Sequence, residues 1–267
     1  MFHPFNQWKR KAGRKHKRGP CGKLRDVRRS LREWYGYGVG EAVAEEERAQ
    51  LGEALTTLFG YHLVQLGHIN DCEHLSSSYI RHQVVLDLDL EHTDLKTQCY
   101  SEPGDLPIAT DSVDVVILPH VLEFHADPHR VLREVDRVLV PEGHVVILGF
   151  NPWSIWGAFR SVLRFKKEVP WCCASISPFR MKDWLSLLGF DTEHVHTFFF
   201  KPPIGNRKFL AKLSLFDRVG ERAWPAFGSV YLFVARKRVS TLTPIRPRWR
   251  AKKRVLNPGL VETRNEH

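Results

Sequence analysis

The chain has 267 residues, 43% of them hydrophobic, and a formal net charge of +10. That length and composition suit one sizeable domain with its own core. No apolar run approaches the roughly 18 residues a membrane helix needs, and the opening MFHPFNQWKRK has no apolar signal core, so neither a span nor a secretory leader is expected.

The charge is unevenly placed. Residues 9–18 carry seven Lys or Arg and no acid, and residues 236–254 carry nine and no acid, leaving the remainder net acidic. Blocks of this kind are solvated tails or contact nucleic acid and other anionic surfaces. The five cysteines are odd in number and form no C-x-x-C pair, which argues against a disulfide framework or zinc site and fits a reducing cytoplasm.

In chain order, residues 1–38 are basic and contain glycine, and are expected to be a largely flexible arm. Glu41 to Leu58 reads as a helix, with acids crowding its first turns as the helix dipole favours and Leu51, Leu55 and Leu58 on its apolar face. Gly60 is a candidate C-cap. Strands are expected over Tyr61–Leu66, Val84–Leu88 and, shorter, near Leu95–Tyr100. Val113–Leu118 (VDVVIL), bounded by Asp111-Ser112 and Pro119, has the composition of a strand buried on both faces. Asp127 then caps a helix with Pro128 in its first turn, where a missing N–H costs nothing. Val131, Leu132, Val135, Val138 and Leu139 give that helix its apolar stripe, and Pro141-Glu142-Gly143 is expected to stop it. His144–Phe150 is a second buried strand, so the block is one βαβ unit with parallel strands. A helix over Pro178–Leu188 closed by Gly189, a strand within Phe190–Phe200 and a last strand over Ser229–Arg236 follow. The Pro- and Arg-rich residues 239–267 read as a disordered tail. The folded domain should therefore span residues 39–238.

The block Asp105–Asn151 resembles the fourth and fifth strands of class I S-adenosylmethionine-dependent methyltransferases of the methyltransferase-11 type. The matching pieces are Leu106-Pro107, Asp111, Asp114, and Arg137-Val138-Leu139 with Pro141 and Gly143. The resemblance is specific over about 50 residues and weaker outside them. It implies an α/β fold: a Rossmann-like, open, mostly parallel seven-stranded sheet with helices on both faces and the last strand antiparallel. It also implies S-adenosyl-L-methionine as cofactor and no metal. The spacing usual in that family makes Tyr61–Leu66, rather than the family-like Val84–Leu90 (VVLDLDL), the first strand.

The cofactor contacts follow by the same resemblance. The loop after strand one, Gly67-His68-Ile69-Asn70-Asp71-Cys72, should meet the amino-acid end of the cofactor, with a helix N-terminus behind it favouring the carboxylate. It carries one glycine where the family shows two or three. Asp87 and Asp89 are candidates for the carboxylate that accepts the ribose hydroxyls, Asp89 being nearer the expected strand end. Glu102, four before Leu106, would read the adenine amine. Leu118-Pro119-His120 would line the other side. Trp153, Trp156 and Phe159 either form an aromatic wall near the cationic sulfur or are core aromatics. His120, His125 and His129 with Asp127 invite a metal reading, but Asp127 and Pro128 are explained as cap and first-turn residue. Two functions remain open. One is a methyltransferase of unidentified acceptor. The other is a non-catalytic methyltransferase fold that holds RNA or another anion through its basic ends.

Overall fold

The computed structural model describes residues 22–68, 72–88, 98–163, 169–203, 220, 222 and 224–238. Two helices come first, α1 (Leu24–Tyr35) and α2 (Val39–Thr56). They are followed by β1 (His62–Leu66), β2 (His82–Asp87), β3 (Gln98–Tyr100), β4 (Val113–Pro119), α3 (Pro128–Val138), β5 (Leu139–Phe150), α4 (Ile155–Leu163), α5 (Pro178–Leu187), β6 (Phe190–Phe198) and β7 (Val230–Lys237). The strands form one seven-stranded sheet in the order β3-β2-β1-β4-β5-β7-β6. β3, β2, β1, β4 and β5 pair in parallel, and β7 runs antiparallel to both β5 and β6. The expected Rossmann-like α/β fold is the one observed.

Side chains alternate across the central strands, so each strand feeds two cores. Leu63, Val115, Ile117, Val146 and Leu148 pack under α1 and α2. Val64, Leu66, Val116, Leu118, Val145 and Ile147 pack against α3 and α5, through Val131, Leu132, Val135, Met181 and Leu185. Strands with apolar residues on both faces explain the unbroken runs VDVVIL and HVVILGF.

Local signals hold well in the βαβ block. Asp127 Oδ1 accepts the backbone N–H of Arg130 at 3.0 Å, and Pro128 occupies the first turn of α3. The helix stops earlier than Pro141, however. It ends at Val138, and β5 already begins at Leu139, with Glu142 at φ +64° and the β4–β5 register shifting between Val113 and Val115. The Pro-Glu-Gly segment is thus an irregularity inside the strand, not the helix stop. Gly60 also has a different task. α2 ends at Thr56, and a Cβ at Gly60 would collide with the Asp114 carboxylate. Asp114 Oδ2 accepts the N–H groups of Tyr61 and His62 at 2.9 and 2.8 Å, tying the start of β4 to the start of β1.

The arm expected over residues 1–38 is ordered from Leu24 onward. α1 buries Val27, Arg28, Leu31 and Tyr35 on one face, with Leu31 at 0% exposure. Its many arginines mask an apolar residue every fourth position, which is sufficient for docking against α2 and the sheet. Residues 1–21 and 239–267 lie outside the described residues. Cysteine usage is also corrected: Cys72, Cys99 and Cys173 are free, but Cys172 is disulfide-bonded. Pairing depends on spatial approach of the Cα atoms, which sequence spacing does not reveal.

Candidate functional site

In an open parallel sheet, ligands bind outside the carboxyl ends of the strands, where the strand order reverses. Here the reversal lies between β1 and β4. β1 delivers Gly67 to that point, β2 delivers Asp87, and β4 delivers Pro119 and His120.

Gly67 sits at φ +76°, a left-handed conformation glycine adopts without strain, and its N–H donates to the Leu86 carbonyl at 2.6 Å. Its face is not open. A Cβ there would collide with the guanidinium of Arg28, which α1 lays across the crevice. Arg28 is 3% exposed. Its Nη1 donates to the Pro119 carbonyl at 3.1 Å and the His120 carbonyl at 3.3 Å. Its Nη2 is buried and has no hydrogen-bond partner among the described residues. Burial pulls the guanidinium below its ordinary pKa, and the Asp87 charge opposes that.

Asp87 is the last residue of β2 and is 4% exposed. Its Oδ2 accepts the His68 backbone N–H at 2.9 Å, meets His68 Nδ1 at 3.2 Å and forms an ion pair with Arg32 of α1 at 3.5 Å. Its Oδ1 accepts the Leu88 N–H at 2.6 Å. Burial alone would raise this pKa. The His68 hydrogen bonds and the Arg28 charge outweigh burial and hold the carboxyl well below the usual carboxylate range. A carboxylate offers about four acceptor positions, so Oδ1 retains capacity for another donor. Asp89 lies outside the described residues, and the strand end falls at Asp87.

Glu102 follows β3 by two residues on the same edge, half-buried, in an isolated bridge with Asp105. It is close enough to His125 for its charge to act there. Leu118 is fully buried and its side chain belongs to the core under α3 and α5. Of Leu118-Pro119-His120, the carbonyls of the last two reach the crevice.

The His120 side chain takes part in a buried network. Its Nε2 lies 2.9 Å from Glu47 Oε1 on α2, and its Nδ1 lies 2.8 Å from Glu123 Oε2. Tyr35 of α1 donates to the same Glu47 oxygen at 3.0 Å, and Glu123 Oε1 accepts the Phe150 backbone N–H. Burial would lower the His120 pKa. The charges of Glu47 and Glu123 and their hydrogen bonds prevail and push it up to about 9. With both ring nitrogens donating to carboxylates, the imidazole is a cation at neutral pH. It fastens both N-terminal helices to the strand ends.

The aromatic wall is not assembled as one surface. Trp156 is buried among Trp34, Phe150, Trp171 and Phe199. Trp153 is 64% exposed and lines a separate, apolar cavity of about 740 Å³ with Phe179, Thr197 and Phe227. Among the described residues no three His, Cys, Asp or Glu side chains are grouped as metal ligands. No helix of the described residues is long and apolar enough to cross a membrane.

Of the residues singled out in the sequence, Gly67, Asp87, Pro119 and His120 come together at the β1–β4 crevice and Glu102 lies on the β3 edge; beside them stand three residues that the sequence did not single out, Arg28, Arg32 and Glu47. A usable signal existed for the first two: Arg28 and Arg32 stand four apart, each beside an apolar residue of the Val27, Leu31, Tyr35 series. Among the described residues, the helix expected behind the loop is not seen. Where a helix was expected, residues Glu73–Ser77 form one 3₁₀ turn, and its N-cap Cys72 has φ +52°. Residues 69–71 are outside the described set.

Residues 73–147 match the family model described as a methyltransferase domain. The match begins after β1 and the Gly67 loop. The chain is 34% identical over 212 residues to the uncharacterized protein YafS of Escherichia coli, covering 79% of this chain and 82% of that one. It is 32% identical over 82 residues to demethylmenaquinone methyltransferase of Chlamydia pneumoniae, covering 29% and 35%. Among solved structures, the fold is similar to an S-adenosylmethionine-dependent methyltransferase of Mesorhizobium loti. The TM-score is 0.51 at 18% identity, covering 70% of this chain and 96% of that one. A second such methyltransferase, from Archaeoglobus fulgidus, gives a TM-score of 0.51 at 15% identity, covering 72% and 94%.

Proposed function

Because the chain belongs to the class I S-adenosylmethionine-dependent methyltransferases of the methyltransferase-11 type, in one family with YafS, we propose that the β1–β4 crevice is its cofactor site. The observation that carries this reading is a buried carboxylate, Asp87, on the His68 N–H and an orphaned buried N–H, Arg28 Nη2, against the neighbouring Gly67, both at the point of strand reversal. That set of groups suits the cofactor: Asp87 Oδ1 to accept from ribose hydroxyls, Glu102 to accept from the adenine amine, and the crevice floor at Gly67 for the amino-acid end.

When bound, the cofactor supplies an electrophilic methyl on a sulfonium, which an acceptor nucleophile takes by in-line displacement. That chemistry needs alignment and exclusion of water more than an acid or base. The protein side agrees. His120 is held between Glu47 and Glu123, and Asp87 Oδ2 is held by His68 and Arg32, so neither stands ready as a free acid or base, and α1 and α2 cover the strand ends. The acceptor is unidentified. The basic stretches 9–18 and 246–254 support a nucleic acid or another polyanion as a partner, whereas Arg236, Lys237 and Arg238 pair with acids of the folded domain.

Calorimetry with S-adenosylmethionine and S-adenosylhomocysteine tests the reading. Saturable binding of both is expected. Absence of heat and of a thermal shift at millimolar ligand refutes it and leaves the non-catalytic alternative.

A further inference from the structure

Three observations converge on the amino-acid end of the crevice. The loop after β1 keeps one glycine, and the turn behind it, Glu73–Ser77, is too short to act as an anion-binding helix end. Among the described residues, no helix N-terminus stands behind Gly67 to supply donors for a carboxylate. On the other side, α1 brings a guanidinium onto the face of Gly67 and holds it there through the Pro119 and His120 carbonyls, at 3.1 and 3.3 Å. One arm of that guanidinium, Nη2, is buried without a partner among the described residues. A buried unsatisfied donor on a charged group is costly, and an arriving carboxylate removes that cost.

We infer that Arg28 is the residue that binds the α-carboxylate of the cofactor, replacing with one side chain from α1 the backbone donors of a glycine-rich loop. This rests on the cofactor reading above. Arg28 suits the role because its position is fixed before the ligand arrives. Nη1 is committed to two carbonyls of the β4 end, and the side chain leaves α1 four residues before Arg32, whose ion pair with Asp87 holds the same helix face down. A planar fork with one arm anchored and one arm free presents its free N–H groups in a set direction. The arrangement also makes the site selective. A cofactor lacking the carboxylate would leave Nη2 unpaired and place its own ammonium beside the guanidinium.

The experiment is a two-by-two comparison by calorimetry: wild type and Arg28→Met, each with S-adenosylmethionine and with its decarboxylated form. Wild type is expected to prefer the carboxylate-bearing ligand by roughly ten- to a hundredfold, the usual worth of a charge-assisted hydrogen bond in a buried site. In Arg28→Met the two affinities should converge. Arg28→Lys, which keeps the charge without the fork, should retain part of the preference, and it provides the same ratio if the Met variant does not fold. Equal discrimination in wild type and variant overturns the inference while leaving the cofactor site intact. So does tighter binding by Arg28→Met, which would make Arg28 a plug that the cofactor must displace. Failure of wild type to bind either ligand refutes the cofactor reading itself.

Discussion

The buried imidazolium gives a stability profile whose sign is fixed by geometry. His120 is 0% exposed and lies between Glu47 and Glu123, and its pKa is raised to about 9 from an ordinary 6.5. A folded-state pKa above the unfolded one stabilises fully below the unfolded value and loses its effect as pH rises through the folded value. Each pKa unit is worth about 1.4 kcal/mol, so the domain should lose about 3 kcal/mol between pH 6.5 and 9. Other shifted groups act largely outside that window. His74 is lowered to about 4 by burial and then by the Arg48 charge, so its contribution is lost only as pH falls below 6.5. Burial pushes Cys173 up to about 12 and Tyr35 well above its usual range, so both matter only above about pH 9. The assay is urea denaturation followed by tryptophan fluorescence at several pH values, with His120→Gln as the non-titrating comparison. The variant should be less stable at pH 6.5, by about 3–5 kcal/mol for a broken buried charge pair, and its stability should be nearly independent of pH up to 9. A flat wild-type profile, or an equal slope in the variant, would show that the histidine is not a cation between two carboxylates.

Three further outcomes are expected. Gly67→Ala meets both a left-handed φ and the Arg28 guanidinium. It should lower stability by at least about 1–2 kcal/mol and weaken S-adenosylhomocysteine binding tenfold or more; undiminished binding would mean the crevice is not the site. Glu102→Ala should weaken cofactor binding by roughly ten- to a hundredfold, while Asp105→Ala, an exposed residue paired with Arg130 at 3.7 Å, should not; equal affinities would move the adenine contact elsewhere. Removing residues 1–18 and 239–267 should abolish binding to single-stranded RNA in a filter assay, and the intact chain's binding should fall steeply with salt; salt-independent binding would assign it to the folded domain.

What was legible in the sequence and what was not divides along sequence distance. The βαβ block is local: a cap three residues from its partner N–H, a stripe at helical spacing, and two apolar runs. Each element there was readable within two residues apart from the junction of α3 and β5, where the strand begins at Leu139 rather than at His144. At that point β5 starts before Pro141, because Leu139 pairs with Val113 before the register shifts. The crevice is not local. Arg28 reaches carbonyls 91 and 92 positions away, and Glu47 reaches His120 across 73. Only Glu123, three residues from His120, lay within reach of pattern reading. α1 was hidden for a different reason. Its arginine content gives the composition of a solvated arm, yet two of those arginines point inward, because two carbonyls and an aspartate wait for them at the strand ends.

That long reach also constrains how the chain is assembled during synthesis. α1 is translated long before β4, and Arg28 has no acceptor until Pro119 and His120 emerge 91 and 92 residues later. At about 5–20 residues per second, this leaves the guanidinium face of α1 undocked for about 5–18 s on the ribosome. During that interval Val27, Leu31 and Tyr35 lack the β4 and β5 side chains of their core cluster, and Tyr35 shares Glu47 with no histidine. Nascent chains arrested before Val113 should therefore be cut by trypsin within Leu24–Tyr35, and chains arrested well past Phe150 should be protected there. Equal cleavage in both would mean that α1 closes on α2 by itself and that the strand ends add nothing to its docking.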